Sequence, residues 1–267
     1  VTVIDLAGVP RALFGAGAGL RERYAGWDAA IRARPATGRR IGFAHVAHGV
    51  GATALAVATA RVLAARRALP VLAVDVSSGG TGLGARLGVP ATAANATRAG
   101  ARTSAEAMTG LATAAGGLRV LRPAPGDGIA SWLSDAAPIT RFFDVTVTDL
   151  GVRHPAADLA PAAALCDAVC LVSLADRGAA EQSVSLAAAI RALPEAPDVV
   201  LALVDLTRQG PAAADAVSGH AGVPVVRVPF ERRWETQSGG ALSLAARTAL
   251  LQLTAVLVDP SADGVLP

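Results

Sequence analysis

The sequence predicts a doubly wound α/β domain built on a mostly parallel sheet. Three observations lead there. Seven apolar runs of strand length recur between Ile41 and Pro229, most of them without a polar face; strands covered by helices on both sides read this way. Ala-rich segments of helical length separate most of these runs, which implies strand–helix–strand units with right-handed crossovers. Residues suited to chemistry follow the strand ends, where open parallel sheets bind ligands.

In chain order the strands are IGFAHV from Ile41, VLAVDV from Val71, LRVLRP from Leu118, FDVTVTDL from Phe143, AVCLVSLA from Ala168, DVVLALVD from Asp198 and VPVVRVP from Val223. Helices are expected near Thr53–Ala68, Ala156–Leu165, Gly178–Leu193, Pro211–Gly219 and Ala241–Leu257. The first 38 residues differ: they hold GAGAG at Gly15–Gly19 and an Arg-rich stretch. A helix is expected there near Leu20–Arg34, stopped by Pro35 and a Thr37-Gly38 turn. The expected organisation is an N-terminal arm (1–38), one main domain (39–258) and a tail (259–267). Residues 91–117 are Ala/Thr/Gly-rich and weakly patterned, and read as an insertion.

Composition narrows the function. The chain of 267 residues is 52% hydrophobic but only 3% aromatic and 17% charged, which excludes disorder and points to Ala/Val packing. It contains no lysine, so all 24 basic residues are arginine and any mechanism needing a side-chain amine is excluded. No uncharged run of about 18 residues occurs, so no transmembrane helix is expected. The first residues lack the basic start and sustained apolar run of a secretory signal. Cys166 and Cys170 are the only cysteines and make no disulfide framework. The expected location is the cytoplasm, or the inner face of the membrane through a partner. A net charge of +3 favours an anionic partner.

The residues at the strand ends carry the chemistry. Ala47-His48-Gly49-Val50-Gly51-Ala52-Thr53 follows the first strand, Asp75 closes VLAVD, and Asp149 closes FDVTVTD. A glycine-rich turn opening a helix presents backbone N–H groups to phosphate, and carboxylates at neighbouring strand ends suit a metal. Gly80–Ala85 fits G-x-G-x-x-A, yet it follows the second strand and meets no acid before Glu106, so it reads as a loop and not a dinucleotide site. His45 and His48 could ligate a metal, but structural roles suit them better. Arg32, Arg34, Arg39, Arg40, Arg61, Arg66 and Arg67 form a candidate basic surface. Phe14, Tyr24 and Trp27 gather in the arm, either as an interface or folded back on the domain.

These elements resemble the ParA/MinD group of P-loop ATPases, which carry a deviant Walker A motif, K-G-G-V-G-K-T. The resemblance runs over about Arg39–Leu257 and extends to GVPVVRVPFERRWETQSG near the C-terminus. WDAAIRARPATGRRIGF, leading into the glycine turn, resembles MinD-like proteins of actinobacterial type VII secretion clusters. The resemblance implies Thr53 as Mg²⁺ ligand, Asp75 as the group orienting water or metal, and Asp149 as the Walker B acid. Gly49, Val50, Gly51 and Thr53 are kept, but the two family lysines fall on Ala47 and Ala52, and one glycine falls on His48. Each lost charged hydrogen bond should weaken nucleotide binding about tenfold to a hundredfold. Loss of transition-state charge stabilisation should slow hydrolysis roughly a thousandfold or more. His48 would be strained if its position needs a left-handed backbone. The family's adenine-reading Asn, expected near Ala202, is also absent.

The expected protein is therefore a degenerate MinD/ParA-like pseudo-ATPase acting through a protein partner or self-association, in type VII secretion or a polar or septal assembly. The alternatives are a weak Mg-ATP-dependent dimerising switch and a nonspecific DNA-binding partition protein. No catalytic residue is expected beyond vestigial Asp75 and Asp149, and no cofactor beyond Mg-ATP or Mg-ADP if the site retains binding.

Overall fold

The computed structural model describes residues 18–77, 81–123, 128–208, 210–231 and 242–264. Its elements run α1 (Ala18–Arg32), β1 (Arg39–His45), α2 (Ala52–Arg66), β2 (Val71–Asp75), α3 (Leu83–Arg86), α4 (Ala96–Ala99), α5 (Ser104–Ala107), β3 (Ala112–Thr113) and β4 (Arg119–Leu121). There follow α6 (Gly128–Ser131), α7 (Ala137–Thr140), β5 (Val145–Val152), α8 (Leu159–Ala163), β6 (Ala168–Leu174), α9 (Arg177–Arg191), β7 (Asp198–Val204), α10 (Ala212–Ser218), β8 (Val225–Val228) and α11 (Leu244–Val258). The eight strands lie in one sheet in the order β3-β4-β2-β5-β1-β6-β7-β8. Every pairing is parallel except β3 with β4.

The doubly wound sheet is thus present, with helices on both faces. One apolar layer joins α1, α2 and α11 to the sheet through residues such as Trp27, Leu55 and Leu253. The opposite layer uses Trp132, Ile139, Leu159 and Ile190. All five residues of β2 are buried, as the two-sided apolar pattern requires. Among the described residues no helix is long and apolar enough to cross a membrane.

The N-terminal helix joins this core. Tyr24, Trp27 and Ile31 are buried at spacings of three and four, one face of a helix. The Tyr24 hydroxyl is hydrogen-bonded to Thr248 on α11. Arg67 pairs with Asp144, and its guanidinium donates to the Ile31 and Ala33 carbonyls at the end of α1. Tyr24 and Trp27 therefore face the domain itself and form no free docking surface; Phe14 lies outside the described residues. Arg32, Arg39, Arg40, Arg66 and Arg67, five of the seven arginines read as basic surface, sit in ion pairs with Asp28, Asp198, Asp167 and Asp144.

Several expectations need correction. Among the described residues there are eight strands rather than seven: β3 lies inside the segment read as an insertion. That segment is organised by Arg98, which is 1% exposed and donates to the carbonyls of Ala93 and Thr109 at 3.0 and 3.2 Å. Residues 128–140 form a continuous helical stretch with a π-helical turn at Trp132–Ala136, which periodicity did not reveal. Trp132 Nε1 donates to the buried Thr148 hydroxyl at 3.2 Å, so the irregular turn is fastened to β5. α8 starts three residues later than expected from Ala156.

Candidate functional site

The sheet order places β1 between β5 and β6, so the turn leaving β1 opens beside the ends of β2 and β5. Gly49 and Gly51 have φ of 76° and 91°, values that side-chain-bearing residues resist, and these turns aim the start of α2 into the site. His48 is not among the described residues with positive φ, so the strain expected there does not arise. α9 and α11 are capped by Asp176 and Ser243, but α2 has no side-chain cap. Its first N–H groups, with the positive end of the helix dipole, therefore face the site. Ala52, where the resemblance would put a phosphate-binding lysine, is 2% exposed.

Ahead of the turn, His45 Nδ1–H donates to the Ala47 carbonyl at 2.6 Å. Burial lowers the His45 pKa, so the ring stays neutral at pH 7. The His45 and His48 rings lie 6.5 Å apart, and no group of three potential metal-ligating His, Cys, Asp or Glu residues occurs among the described residues. Cys166 and Cys170 are both buried, and burial pushes the Cys166 thiol up to about 12, so neither is a nucleophile.

Asp75 and Asp149 are direct partners across β2 and β5, which places the two carboxylates side by side. Both are buried, and both are engaged by the chain itself. Asp75 accepts from the Ser77 hydroxyl at 2.6 Å, the Ser77 amide at 3.2 Å and the Gly84 amide at 2.7 Å. Arg122 Nε stands 3.9 Å from the same carboxylate. Asp149 accepts from the Leu83 amide at 3.2 Å, the Gly151 amide at 3.1 Å and the Thr53 hydroxyl. A register shift after Phe43 makes Leu150 an extra residue in β5 and returns the Gly151 amide to Asp149.

Burial, then the neighbouring Asp75 charge, pushes the Asp149 pKa up to about 6; the Thr53, Gly151 and Leu83 hydrogen bonds oppose this only in part. Gly82 passes so close to Asp75 and Ser77 that any Cβ there would collide with both. These contacts bear on Mg²⁺. That ion needs near-octahedral oxygen ligands at about 2.0–2.1 Å. Here three N–H or O–H donors already reach each carboxylate, and the start of α3 fills the space beside them. In this arrangement the pair does not fit Mg²⁺.

The turn borders a cavity of about 290 Å³. Its wall includes His48, Gly49, Val50, Gly51, Ala52 and Thr53 from the turn, then Ser77, Gly82, Arg86 and Gly151 on the β2–β5 side. Val204, Leu206 and Val228 line the far side, at the ends of β7 and β8. Asp75 and Asp149 sit behind this wall. Ala202 is buried within β7, and the cavity instead meets the chain two residues later. The residues 78–80 of the glycine-rich loop and 232–241 of the late motif lie outside the described residues.

Two arginines were missed from sequence. Arg122 follows β4, whose Leu121 pairs with Val74, so register alone puts it beside Asp75. Arg86 lies just past the Gly80–Ala85 loop, where a lone arginine in an apolar turn carried no motif.

No family model matches the sequence, and no curated protein matches it. Solved structures do resemble it. A ParA family ATPase from Chlorobium tepidum TLS superposes with TM-score 0.60 at 15% identity, covering 80% of this chain and 96% of that one. MinD in the MinC:MinD cell division complex of Aquifex aeolicus gives 0.58 at 16% identity, covering 82% and 94%. The septum site-determining protein MinD of Pyrococcus horikoshii OT3, complexed with Mg-ADP, gives 0.55 at 16% identity, covering 83% and 96%. The chain has the fold of the MinD/ParA P-loop proteins.

Proposed function

We propose that this protein is a MinD/ParA-like pseudo-ATPase that works through protein association, in type VII secretion or a related polar or septal assembly. One observation carries the reading: the phosphate turn keeps its shape while both lysine positions are alanine in a chain with no lysine. A P-loop with no lysine has lost the groups that neutralise charge on the reacting phosphates. The closed carboxylate pair supports the same reading, because Asp75 and Asp149 already serve the protein's own amides.

The association half rests on the MinC:MinD neighbour and on the secretion-cluster resemblance of residues 27–43. A lysine that crosses to a partner's nucleotide is missing here, so any dimer must be held by other contacts. The DNA-binding alternative loses support, since five of the seven candidate arginines are held in ion pairs.

Hydrolysis of Mg-ATP by the full chain should be no faster than by the Thr53→Ala, Asp75→Ala double variant. Sedimentation should give one oligomeric state with ATP, ADP or a chelator. A turnover on the order of 1 per minute that those substitutions abolish, or a monomer that dimerises only with ATP, overturns the reading in favour of a dimerising switch.

A further inference from the structure

The cavity beside the glycine turn holds no lysine, and most of its wall is apolar. Val50, Ala52, Leu55, Val204 and Val228 are each 3% exposed or less, and half-buried Leu206 joins them. Polar side chains of the wall are turned onto the chain itself. Thr53 donates to Asp149, Ser77 donates to Asp75 at 2.6 Å, and His45 donates to the Ala47 carbonyl at 2.6 Å. Arg86, the one described lining residue with a permanent charge, already has a partner. An anion entering this space would leave water and meet no free cation, which disfavours it.

We infer that this cavity is the docking pocket of a protein partner, receiving one large uncharged apolar side chain from an extended segment whose backbone carbonyl meets the first amides of α2. This rests on the association reading above and names the surface and the partner chemistry that reading needs. The apolar wall selects the side chain: buried valine and leucine favour a large apolar group, aromatic above all, of the kind that anchors interfaces in pockets. The lack of a free cation keeps Asp, Glu and phosphorylated residues out. The uncapped amides at the start of α2 need an acceptor, and a peptide carbonyl is one that carries no charge.

The dimensions suit such an anchor. A Cβ on Gly51 would stand 3.8 Å from Val204 Cγ1, so the turn and the apolar wall are contiguous. One residue can therefore set its carbonyl on the turn and its side chain against Val204, Leu206 and Val228. The volume of about 290 Å³ lies at the small end of ligand pockets, roughly 300–1,000 Å³, which suits one inserted side chain better than a whole cofactor. His48, Gly49 and Thr81 on the wall are exposed, so an incoming segment reaches the cavity from solvent.

The test is selection of random linear peptides displayed on phage against the full chain, followed by titration of a fluorescent copy of the most enriched peptide. Enriched peptides should share one large apolar residue with no Asp or Glu beside it. Replacing that residue by alanine, or introducing Leu206→Arg in the protein, should weaken binding about tenfold to a hundredfold. Arg191→Ala, at the end of α9 and the opposite end of the strands, should leave binding unchanged. Ala52→Lys, which places a cation in the wall, should turn the selection towards acidic peptides. Melting curves establish that each variant is folded; should Leu206→Arg not fold, Leu206→Ser must weaken binding or the inference fails. No enrichment of such peptides, indifference to the Leu206 change, equal loss in Arg191→Ala, or displacement of the peptide by equimolar Mg-ATP each overturns the inference. With Mg-ATP turnover still absent, that failure leaves the association reading standing on another surface. Turnover, or dimerisation driven by ATP, removes that reading itself, so the two failures are distinguishable.

Discussion

The two sides of the cavity use their polar groups differently. At the glycine turn the backbone still has the shape that greets phosphate: Gly49 and Gly51 are left-handed and α2 begins without a cap. At the carboxylate side the equivalent donors and acceptors have found each other, with Leu83, Gly84, Gly151, Ser77 and Thr53 all turned onto Asp75 and Asp149. That backbone shape needs only two glycines and a helix start. A pair of buried acids needs partners, because unsatisfied buried charge is costly, and here the chain's own amides and hydroxyls supply them.

The largest effect should come from emptying the carboxylate side. Asp149→Ala leaves two buried amides and the Thr53 hydroxyl without their acceptor, and should cost about 3 kcal/mol or more in urea denaturation. An unchanged midpoint would mean that these donors have other partners. Adding a methyl group at Gly82 attacks the same side from outside. Gly82→Ala should cost about 1–3 kcal/mol through forced displacement of Asp75 and Ser77.

The Asp149 carboxyl also sets a pH dependence. Its pKa near 6 in the folded protein exceeds the ordinary value of 3.8. Between those values the folded state keeps a proton that the unfolded chain has released. The stability it contributes is full below about pH 4 and is lost as pH rises through 6, a swing on the order of 3 kcal/mol. Asp149→Asn should flatten that slope between pH 4.5 and 7.5 in denaturation curves; an unaltered slope assigns it to other groups.

The turn side should respond more gently. Gly51→Ala must hold a Cβ at φ 91° and should cost about 1–2 kcal/mol, read as a lowered melting temperature. The smallest effect belongs to repair. Ala52→Lys should improve nucleotide binding by no more than about tenfold in calorimetry, because it restores one charged contact and leaves the carboxylates engaged. Tight binding with turnover from that single change would show that the carboxylate side is open after all.

Much of the fold was legible because the central strands are so apolar that only a sandwiched parallel sheet accommodates them: IGFAHV, VLAVDV and AVCLVSLA all lie where expected. The turn from Ala47 to Thr53 was legible for the same reason, since it had to follow the first strand. The rest was hidden where polar contacts replace periodicity. Arg98 organises residues 93–109 by donating to backbone carbonyls, and no apolar repeat announces that. Trp132 fastens an irregular helix through one hydrogen bond to Thr148. Arg86 and Arg122 become part of the site only once strand order and loop path are known, and neither is set by neighbours in sequence.

With their oxygens engaged by the chain's own donors, Asp75 and Asp149 should hold no metal ion. Mn²⁺, a paramagnetic stand-in for Mg²⁺, tests it directly by electron paramagnetic resonance of the full chain in the presence of excess protein over ATP. The expected spectrum shows no Mn²⁺ held by protein carboxylates, only Mn²⁺ in water or carried on nucleotide phosphates, unaltered by Asp149→Asn. A protein-bound Mn²⁺ signal approaching one ion per chain, and lost in Asp149→Asn, would contradict it.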